Sequence, residues 1–277
     1  DVLVTEDQLQ TQSASGEQKT LVLLINFQND TSEPISTSEV RSIIFDGERS
    51  VNNYYKEASY NQISLIGDVF GWFTIAMDNT NCDTYYGFWG GRAEIKARDS
   101  GIDTTSYPRK IYVFNNPPGC SFAGIGSIGP SNGSQSWIFS LLSDKGIYAH
   151  ELGHNLGIHH ANLLFCPGKS IDYYSNCSDQ EYGDVFSVMG FLSETNGISN
   201  LFHLNSPHKA ALGWIPPDKI QTVSSNGEYN LYPLEKSGNA PLALKIAKAD
   251  TNEAYYVEYR NPVGFDAFLP PPITKGA

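Results

Sequence analysis

Apolar runs and amphipathic segments alternate along most of this chain. Residues 21–27 form a continuous apolar run, which is typical of a strand buried on both faces. Ser36 and Glu39 form a capping box that predicts the start of a helix, and apolar side chains recur at helical spacing within residues 51–58. Further strand-forming stretches lie at residues 63–65, 72–75, 111–114 and 136–139. Strands that alternate with helices predict an α/β domain.

The pattern changes after Pro216 and Pro217. Apolar and polar residues then alternate over short stretches, with turn residues between them, at 229–232, 242–246 and 255–259. This alternation predicts a small antiparallel β module. We therefore expect three parts, namely a polar N-terminal arm at 1–19, an α/β domain at 20–214 and a small β-rich module at 215–277. The proline run at 270–272 is compatible with additional domains beyond it.

Residues 150–160 read HELGHNLGIHH and hold four of the six histidines of the chain. On a helix, His150 and His154 lie one turn apart on one face, so two imidazoles can converge on one cation. Glu151 projects about 100° from His150 around the helix, a position suited to a base beside a metal. Gly157 lets the chain leave the helix, so that His160 can return as a third ligand. This spacing predicts a zinc site.

The shorter HExxH pattern alone occurs by chance in many helices, where the histidines are a solvated or a core pair. Two features favour the metal site. Tyr148, Leu152 and Leu156 fall on the face opposite the histidines, as expected of an interior helix. Downstream, residues 187–190 (SVMG) place Met189, one of only two methionines, in the turn expected under such a site.

These motifs make the chain resemble metzincin zinc metallopeptidases, most of all the gametolysin-like branch, with some likeness to immune-inhibitor-A-type peptidases. Looser similarities lie at residues 50–60, 120–126, 182–190 and 206–214. The resemblance implies a mixed, twisted sheet with a zinc helix, peptide-bond hydrolysis, His150, His154 and His160 as ligands, and Glu151 as general base. Phe191 stands where some metzincins have a tyrosine, so a transition-state role for that phenol is excluded here.

The same resemblance places a substrate-binding edge strand in the glycine-rich stretch before the zinc helix. Its residues are Phe122, Ala123, Gly124, Ile125 and Gly126. An edge strand can bind an extended peptide through main-chain hydrogen bonds. The alternative is a plain glycine-rich connection between two strands.

The acidic composition of the chain limits the classes of macromolecule that it can bind. The chain has 277 residues, a net charge of −12 and a pI near 4.8, which argues against nucleic acid or an anionic membrane surface as a partner. No stretch approaches the roughly 18 apolar residues of a membrane-spanning helix, so we expect no membrane insertion. The chain begins at Asp1 without a basic-then-apolar leader, so we expect that any targeting segment has been removed.

The four cysteines predict two disulfides. A short loop separates Cys166 from Cys177, and pairing them leaves Cys82 with Cys120. Free thiols and a cysteine zinc ligand are the alternatives. Disulfides favour an extracellular location.

Several polar residues have a simpler interpretation than a functional one. We expect His203 and His208 to be surface or capping histidines. Asp179, Glu181 and Asp184 could bind calcium, but they match no loop of fixed ligand order, so a solvated acidic segment is the better interpretation. Calcium binding is possible but has no support in the sequence.

The sequence predicts a secreted zinc-dependent endopeptidase that acts on protein or peptide substrates. By analogy with gametolysin, extracellular matrix or cell-wall glycoproteins are candidate substrates. The alternative is a binding module in which the metzincin scaffold presents a surface and catalysis is incidental. The intact ligand set and Glu151 favour the enzyme.

Overall fold

A computed structural model describes residues 2–4, 14–129, 133–191, 194–195, 198–199 and 201–269. The chain divides into two compact units. One unit comprises residues 15–55 and 63–157, and the other comprises residues 1–14, 56–62 and 158–277. The predicted division at residues 19/20 and 214/215 remains a prediction, and the proline run at 270–272 lies outside the described residues.

A five-stranded mixed sheet forms the centre of the first unit, in the order β3-β2-β4-β6-β5. Its strands are β2 (Gly16–Phe27), β3 (Ile63–Ile75), β4 (Arg109–Phe114), β5 (Gly124–Gly126) and β6 (Ser134–Ile138). All neighbouring pairs are parallel except β5 with β6. The mixed sheet confirms the predicted fold class. Because β2 begins at Gly16, the end of the predicted arm belongs to the sheet instead, where its polar residues pair with β3.

Aromatic side chains dominate the core on one face of this sheet. Phe27, Trp89 and Phe114 lie within 6.0 Å of one another, ring centre to ring centre, and Phe139 stacks on Phe114 at 5.2 Å. Trp89 comes from α3 (Cys82–Asp99), a long helix that the hydrophobic pattern does not predict. Its buried positions are mostly small or aromatic, so they form no regular aliphatic stripe.

The other helices of this unit follow the sequence signals more closely. They are α1 (Thr37–Arg41), which continues into a π-helical turn at Ser42–Asp46, α2 (Val51–Ala58) and α4 (Lys145–Leu156), with a 3₁₀ turn at Thr104–Ser106. The capping box is confirmed, since the Glu39 amide donates to Ser36 Oγ at 3.2 Å and the Ser36 amide donates to Glu39 Oε2 at 2.8 Å.

A four-stranded sheet in the order β1-β13-β12-β11 organises the second unit. Its strands are β1 (Val2–Val4), β11 (Ile220–Val223), β12 (Ala243–Ala247) and β13 (Ala254–Glu258). The pairs β1–β13 and β12–β13 are antiparallel, but β11 and β12 are parallel. Residues 229–232, predicted as a strand, form none. Next to them, Pro233 makes only an isolated bridge with Tyr259.

Two short antiparallel pairs and one helix complete this unit. They are β7 (Leu163–Phe165) with β8 (Ser178–Gln180), β9 (Glu194–Thr195) with β10 (Ile198–Ser199), α5 (Ser206–Ala211), and 3₁₀ turns at Tyr174–Asn176, Pro217–Lys219 and Gly264–Phe268. Asn205 caps α5 by accepting from the His208 amide at 3.1 Å.

Disulfides join Cys82 to Cys120 and Cys166 to Cys177, the pairing expected from the spacing, and no cysteine is free. The first fastens the start of α3 to the segment before β5, and the second closes the β7–β8 hairpin. Within the described part of the chain, no helix has the length and apolar character needed to cross a bilayer.

Candidate metal centre and active site

The helix α4 carries most of the predicted site. Asp144 caps its start by accepting from the Gly146 amide at 2.8 Å, and Gly157 ends it in the left-handed conformation with φ 105°. Every residue of α4 after Lys145 is buried. Charged and polar side chains in an interior helix need hydrogen-bond partners or ligands. In α4 such side chains include those of His150, Glu151 and His154.

His150, His154 and His160 each offer a ring nitrogen, and these three atoms lie within 4.8 Å of one another. Among the described residues, no other group of histidine, cysteine and acidic side chains has a comparable arrangement. The His150 and His154 rings lie 4.9 Å apart at 83° to one another, as one helical turn allows. His159 is exposed and outside the group, because side chains alternate in direction along this non-helical segment.

His160 has two close neighbours of its own. Glu181 Oε1 lies 2.6 Å from His160 Nδ1, and the Tyr182 ring centre lies 3.8 Å from that of His160. Glu181 is largely exposed, as expected of a solvated acidic segment, but the sequence does not predict its contact with His160. The same expectation is wrong for Asp184, which is buried. Asp179 instead accepts from the Tyr174 hydroxyl, and buried Asp184 accepts from Asn205, so the three acids do not converge.

The methionine turn is attached to the segment that carries His160. The Ala161 amide donates to the Met189 carbonyl at 2.8 Å, and the Asp184 amide donates to the Ala161 carbonyl at 3.1 Å. Met189 is fully buried. Gly190 is required by close packing, since a Cβ there would overlap the Asp184 carbonyl. These main-chain bonds hold the third histidine in place beside the turn.

Glu151 lies against β5, the edge strand of the central sheet. A Cβ on Gly124 would be 2.8 Å from Glu151 Oε1, and a Cβ on Gly126 would be 3.1 Å from Glu151 Oε2. Both glycines therefore leave room for the carboxyl group. Burial raises the pKa of Glu151 to about 8. A carboxyl group with so high a pKa can hold a proton near neutral pH and can also give it up.

Of the predicted substrate strand at residues 122–126, only Gly124–Gly126 form a strand. Gly124, Ile125 and Gly126 pair with β6, whereas Phe122 packs against Phe139 in the core and the Ala123 carbonyl accepts from the Phe139 amide at 2.8 Å. Of the described strands, only β6 pairs with β5. The glycine-rich stretch is therefore an edge strand beside Glu151 and more than a plain connection.

Asn155, which the sequence interpretation did not single out, ties α4 to this edge of the sheet. Its side chain is completely buried. Asn155 Nδ2 donates to the carbonyls of Ser127 and Gln135, both at 3.0 Å, and Oδ1 accepts from the Ser136 hydroxyl at 2.9 Å. The Gly129 amide donates to the His154 carbonyl. The sequence signal for this role is a polar residue next to His154 within a helix that is expected to be interior.

Of the expectation of surface or capping histidines at 203 and 208, the surface location is wrong, since both are buried. His203 lies in a cluster of charged groups, with Nε2 3.0 Å from Glu57 Oε1 and Nδ1 3.0 Å from Lys209 Nζ. Burial, followed by the charge of Lys209, lowers the pKa of His203. Burial also lowers the pKa of Lys209 to about 7. Compensation by buried partners allows such polar side chains inside, which hydrophobic patterning does not reveal.

Comparison with known proteins identifies the family of this chain. The family model described as gametolysin peptidase M11 matches residues 19–269. Among curated proteins, none matches the chain significantly. A solved structure described as "Structure of a chaperone-substrate complex" is 16% identical, with a TM-score of 0.33 over 70% of this chain and 31% of that chain. This chain thus spans less than a third of that protein, and so low a TM-score supports no argument.

Proposed function

Because the chain belongs to the gametolysin peptidase M11 family and is thus a metallopeptidase acting on protein or peptide substrates, we propose that it is a metzincin-type zinc endopeptidase. The observation that carries this proposal is the convergence of His150, His154 and His160 beside the buried carboxyl group of Glu151.

The donor set fits zinc. Three neutral imidazoles are a common protein ligand set for catalytic Zn²⁺, whereas Ca²⁺ and Mg²⁺ prefer oxygen ligands. His150, His154 and His160 would hold the ion. When bound, zinc supplies the Lewis acidity that makes water nucleophilic near neutral pH and polarises the scissile carbonyl. A bound cation also favours the carboxylate form of Glu151, opposing the effect of burial on its pKa.

Glu151 is proposed as the general base. It takes a proton from the attacking water and later delivers that proton to the leaving amine. Its buried position against Gly124 and Gly126 excludes bulk water from the carboxyl group on that side. Asn155 and the cap at Asp144 fix the helix that carries it.

The outer edge of β5 is proposed to bind the substrate in extended form. Main-chain hydrogen bonds from Gly124–Gly126 would align the peptide antiparallel or parallel to the strand, with little dependence on side chains. The scissile bond would then lie close to Glu151, because β5 packs on that residue.

The location is proposed to be extracellular. The two disulfides support this, since such bonds persist mainly in oxidising compartments. Extracellular matrix or cell-wall glycoproteins remain candidate substrates by family analogy, and the net charge of −12 does not favour nucleic acid. Additional domains beyond residue 277 are part of the same proposal.

The test uses the wild-type chain and Glu151→Gln on casein, gelatin and a proteome-derived peptide library. We expect chelator-sensitive cleavage by wild type and near-stoichiometric zinc in both proteins. Hydrolysis by the variant should fall by about 10²- to 10⁴-fold, because glutamine keeps the shape but cannot accept the proton. Equal inactivity of both zinc-loaded proteins, with no propeptide attached, would reject the peptidase in favour of the binding module.

A further inference from the structure

We infer that Glu181 is a positioning residue for the third metal ligand, His160, and that Tyr182 supports it from the ring face. This inference rests on the proposed function, since it concerns how the chain prepares one histidine for a metal. The proposal starts from the 2.6 Å contact between Glu181 Oε1 and His160 Nδ1.

The three histidines are held in different ways. His150 and His154 are buried within α4, whose packing restricts their side chains. His160 follows the helix end in a segment without regular structure, and 22% of its side chain is exposed. A ligand of this kind loses more conformational freedom on binding a metal unless other groups fix its ring beforehand.

Glu181 supplies that constraint at the ring edge. A carboxylate that accepts from Nδ1–H sets the tautomer in which Nε2 is the metal-binding nitrogen, and it fixes the orientation of the ring. Charge-assisted hydrogen bonds of this kind are about twice as strong as neutral ones. Because 66% of the Glu181 side chain is exposed, we expect an effect at the lower end of the usual range for such partners.

Tyr182 supplies a second constraint at the ring face. Its ring lies 3.8 Å from that of His160, with the two planes 33° apart. Its backbone adopts the left-handed region at φ 61°, uncommon for tyrosine. The Tyr182 amide donates to Asn162 Oδ1 at 3.2 Å, and the Tyr182 carbonyl accepts from the Phe191 amide at 2.7 Å, so the conformation is held from both sides.

The β7–β8 hairpin holds Glu181 in position. Gln180, the residue before it, pairs with Leu163, and the Cys166–Cys177 disulfide closes the hairpin beyond Phe165 and Ser178. Glu181 therefore directly follows the last residue of a short, disulfide-linked pair of strands and lies next to His160. Asp179, two residues earlier and on β8, also carries an exposed carboxyl group, but it contacts Tyr174 instead.

That difference makes Asp179→Ala a matched control for Glu181→Ala, because both remove one exposed negative charge, one from β8 and one from the residue that follows it. Zinc affinity is measured by competition with a chromophoric chelator, and the visible spectrum of the Co²⁺-substituted protein reports the ligand geometry. We expect Glu181→Ala to weaken zinc binding by about tenfold and to change the Co²⁺ spectrum. Asp179→Ala should leave both unchanged.

Glu181→Gln separates positioning from a general effect on folding. Its amide oxygen can still accept from Nδ1–H, so zinc affinity should lie between those of wild type and Glu181→Ala. If Glu181→Ala does not fold, Glu181→Gln is compared with Asp179→Asn, and a loss of affinity confined to Glu181→Gln supports the proposal. Equal affinities and spectra in the Glu181 and Asp179 variants overturn it.

Failure of the proposed function can be told apart from failure of this inference. If the wild-type protein neither binds zinc nor cleaves peptides, the peptidase assignment is wrong before any variant is compared. If wild type binds zinc and cleaves, but removal of Glu181 changes neither affinity nor spectrum, only the positioning role is wrong.

Discussion

Gly124 on β5 and Glu151 on α4 lie so close that a single methyl group would not fit between them. A Cβ at residue 124 would stand 2.8 Å from Glu151 Oε1 and 2.9 Å from Ile147 Cγ2. This contact decides how the edge strand and the proposed base are placed relative to each other, and it explains why glycine stands at residues 124 and 126 before α4.

Gly124→Ala should therefore displace Glu151 or β5. We expect a loss of about 1–3 kcal/mol in the free energy of unfolding, as in other overpacked sites, together with reduced peptidase activity. Urea denaturation and a peptide cleavage assay measure the two effects. Gly91→Ala is the control, since a Cβ there meets nothing and alanine favours the helix α3. Wild-type stability and activity in Gly124→Ala would show that the packing is looser than described.

Replacement of adjacent histidines should separate ligand from neighbour. His160→Ala should lose most of its bound metal, because one of three converging nitrogens is removed. His159→Ala should retain near-stoichiometric zinc, since that side chain is exposed and outside the group. Metal analysis of the purified proteins after dialysis gives the answer, and the reverse order would contradict the ligand assignment.

Asn155 should be intolerant of change although it is proposed neither as a ligand nor as a base. Asn155→Ala leaves the carbonyls of Ser127 and Gln135 and the hydroxyl of Ser136 without this partner in a buried site. We expect a loss of about 2–3 kcal/mol in the free energy of unfolding. Asn155→Asp should also destabilise, because it cannot donate to the two carbonyls. Chemical denaturation of the metal-free proteins isolates this effect, and unchanged midpoints would contradict it.

Lys209 should make stability depend on pH above neutrality. Its pKa is lowered to about 7 by burial, against 10.5 in an exposed chain, so between these values the unfolded state binds the extra proton. Stability should therefore rise with pH from about 7 to 10.5, by about 1 kcal/mol per pH unit relative to Lys209→Met. Urea denaturation of both proteins at several pH values measures this slope. A constant difference between them would indicate that Lys209 stays charged inside.

Sequence patterns predicted the parts of this fold that depend on local signals. The apolar run at 21–27, the Ser36 capping box and the left-handed Gly157 each follow from short-range chemistry, and so does the convergence of His150 and His154. The pairing of cysteines also follows from spacing, since the loop between Cys166 and Cys177 is short.

Long-range contacts account for what the patterns missed. Buried His203 contacts Glu57, which is distant in sequence, and buried Lys209 contacts His203, so no local pattern signals the burial of either side chain. The parallel pairing of β11 with β12 likewise depends on the path of the intervening chain. Glu181 was interpreted as solvated because its partnership with His160 exists only once the β7–β8 hairpin has formed.

The two hydrogen bonds of Ala161, to Met189 and Asp184, use only backbone atoms. They close a main-chain ring whose geometry does not depend on which side chains stand at residues 161, 184 and 189. The β7–β8 hairpin, closed by Cys166–Cys177, forms the part of the chain between Ala161 and Asp184. The backbone at the base of the hairpin is thus fixed beside His160 without any contribution from those side chains.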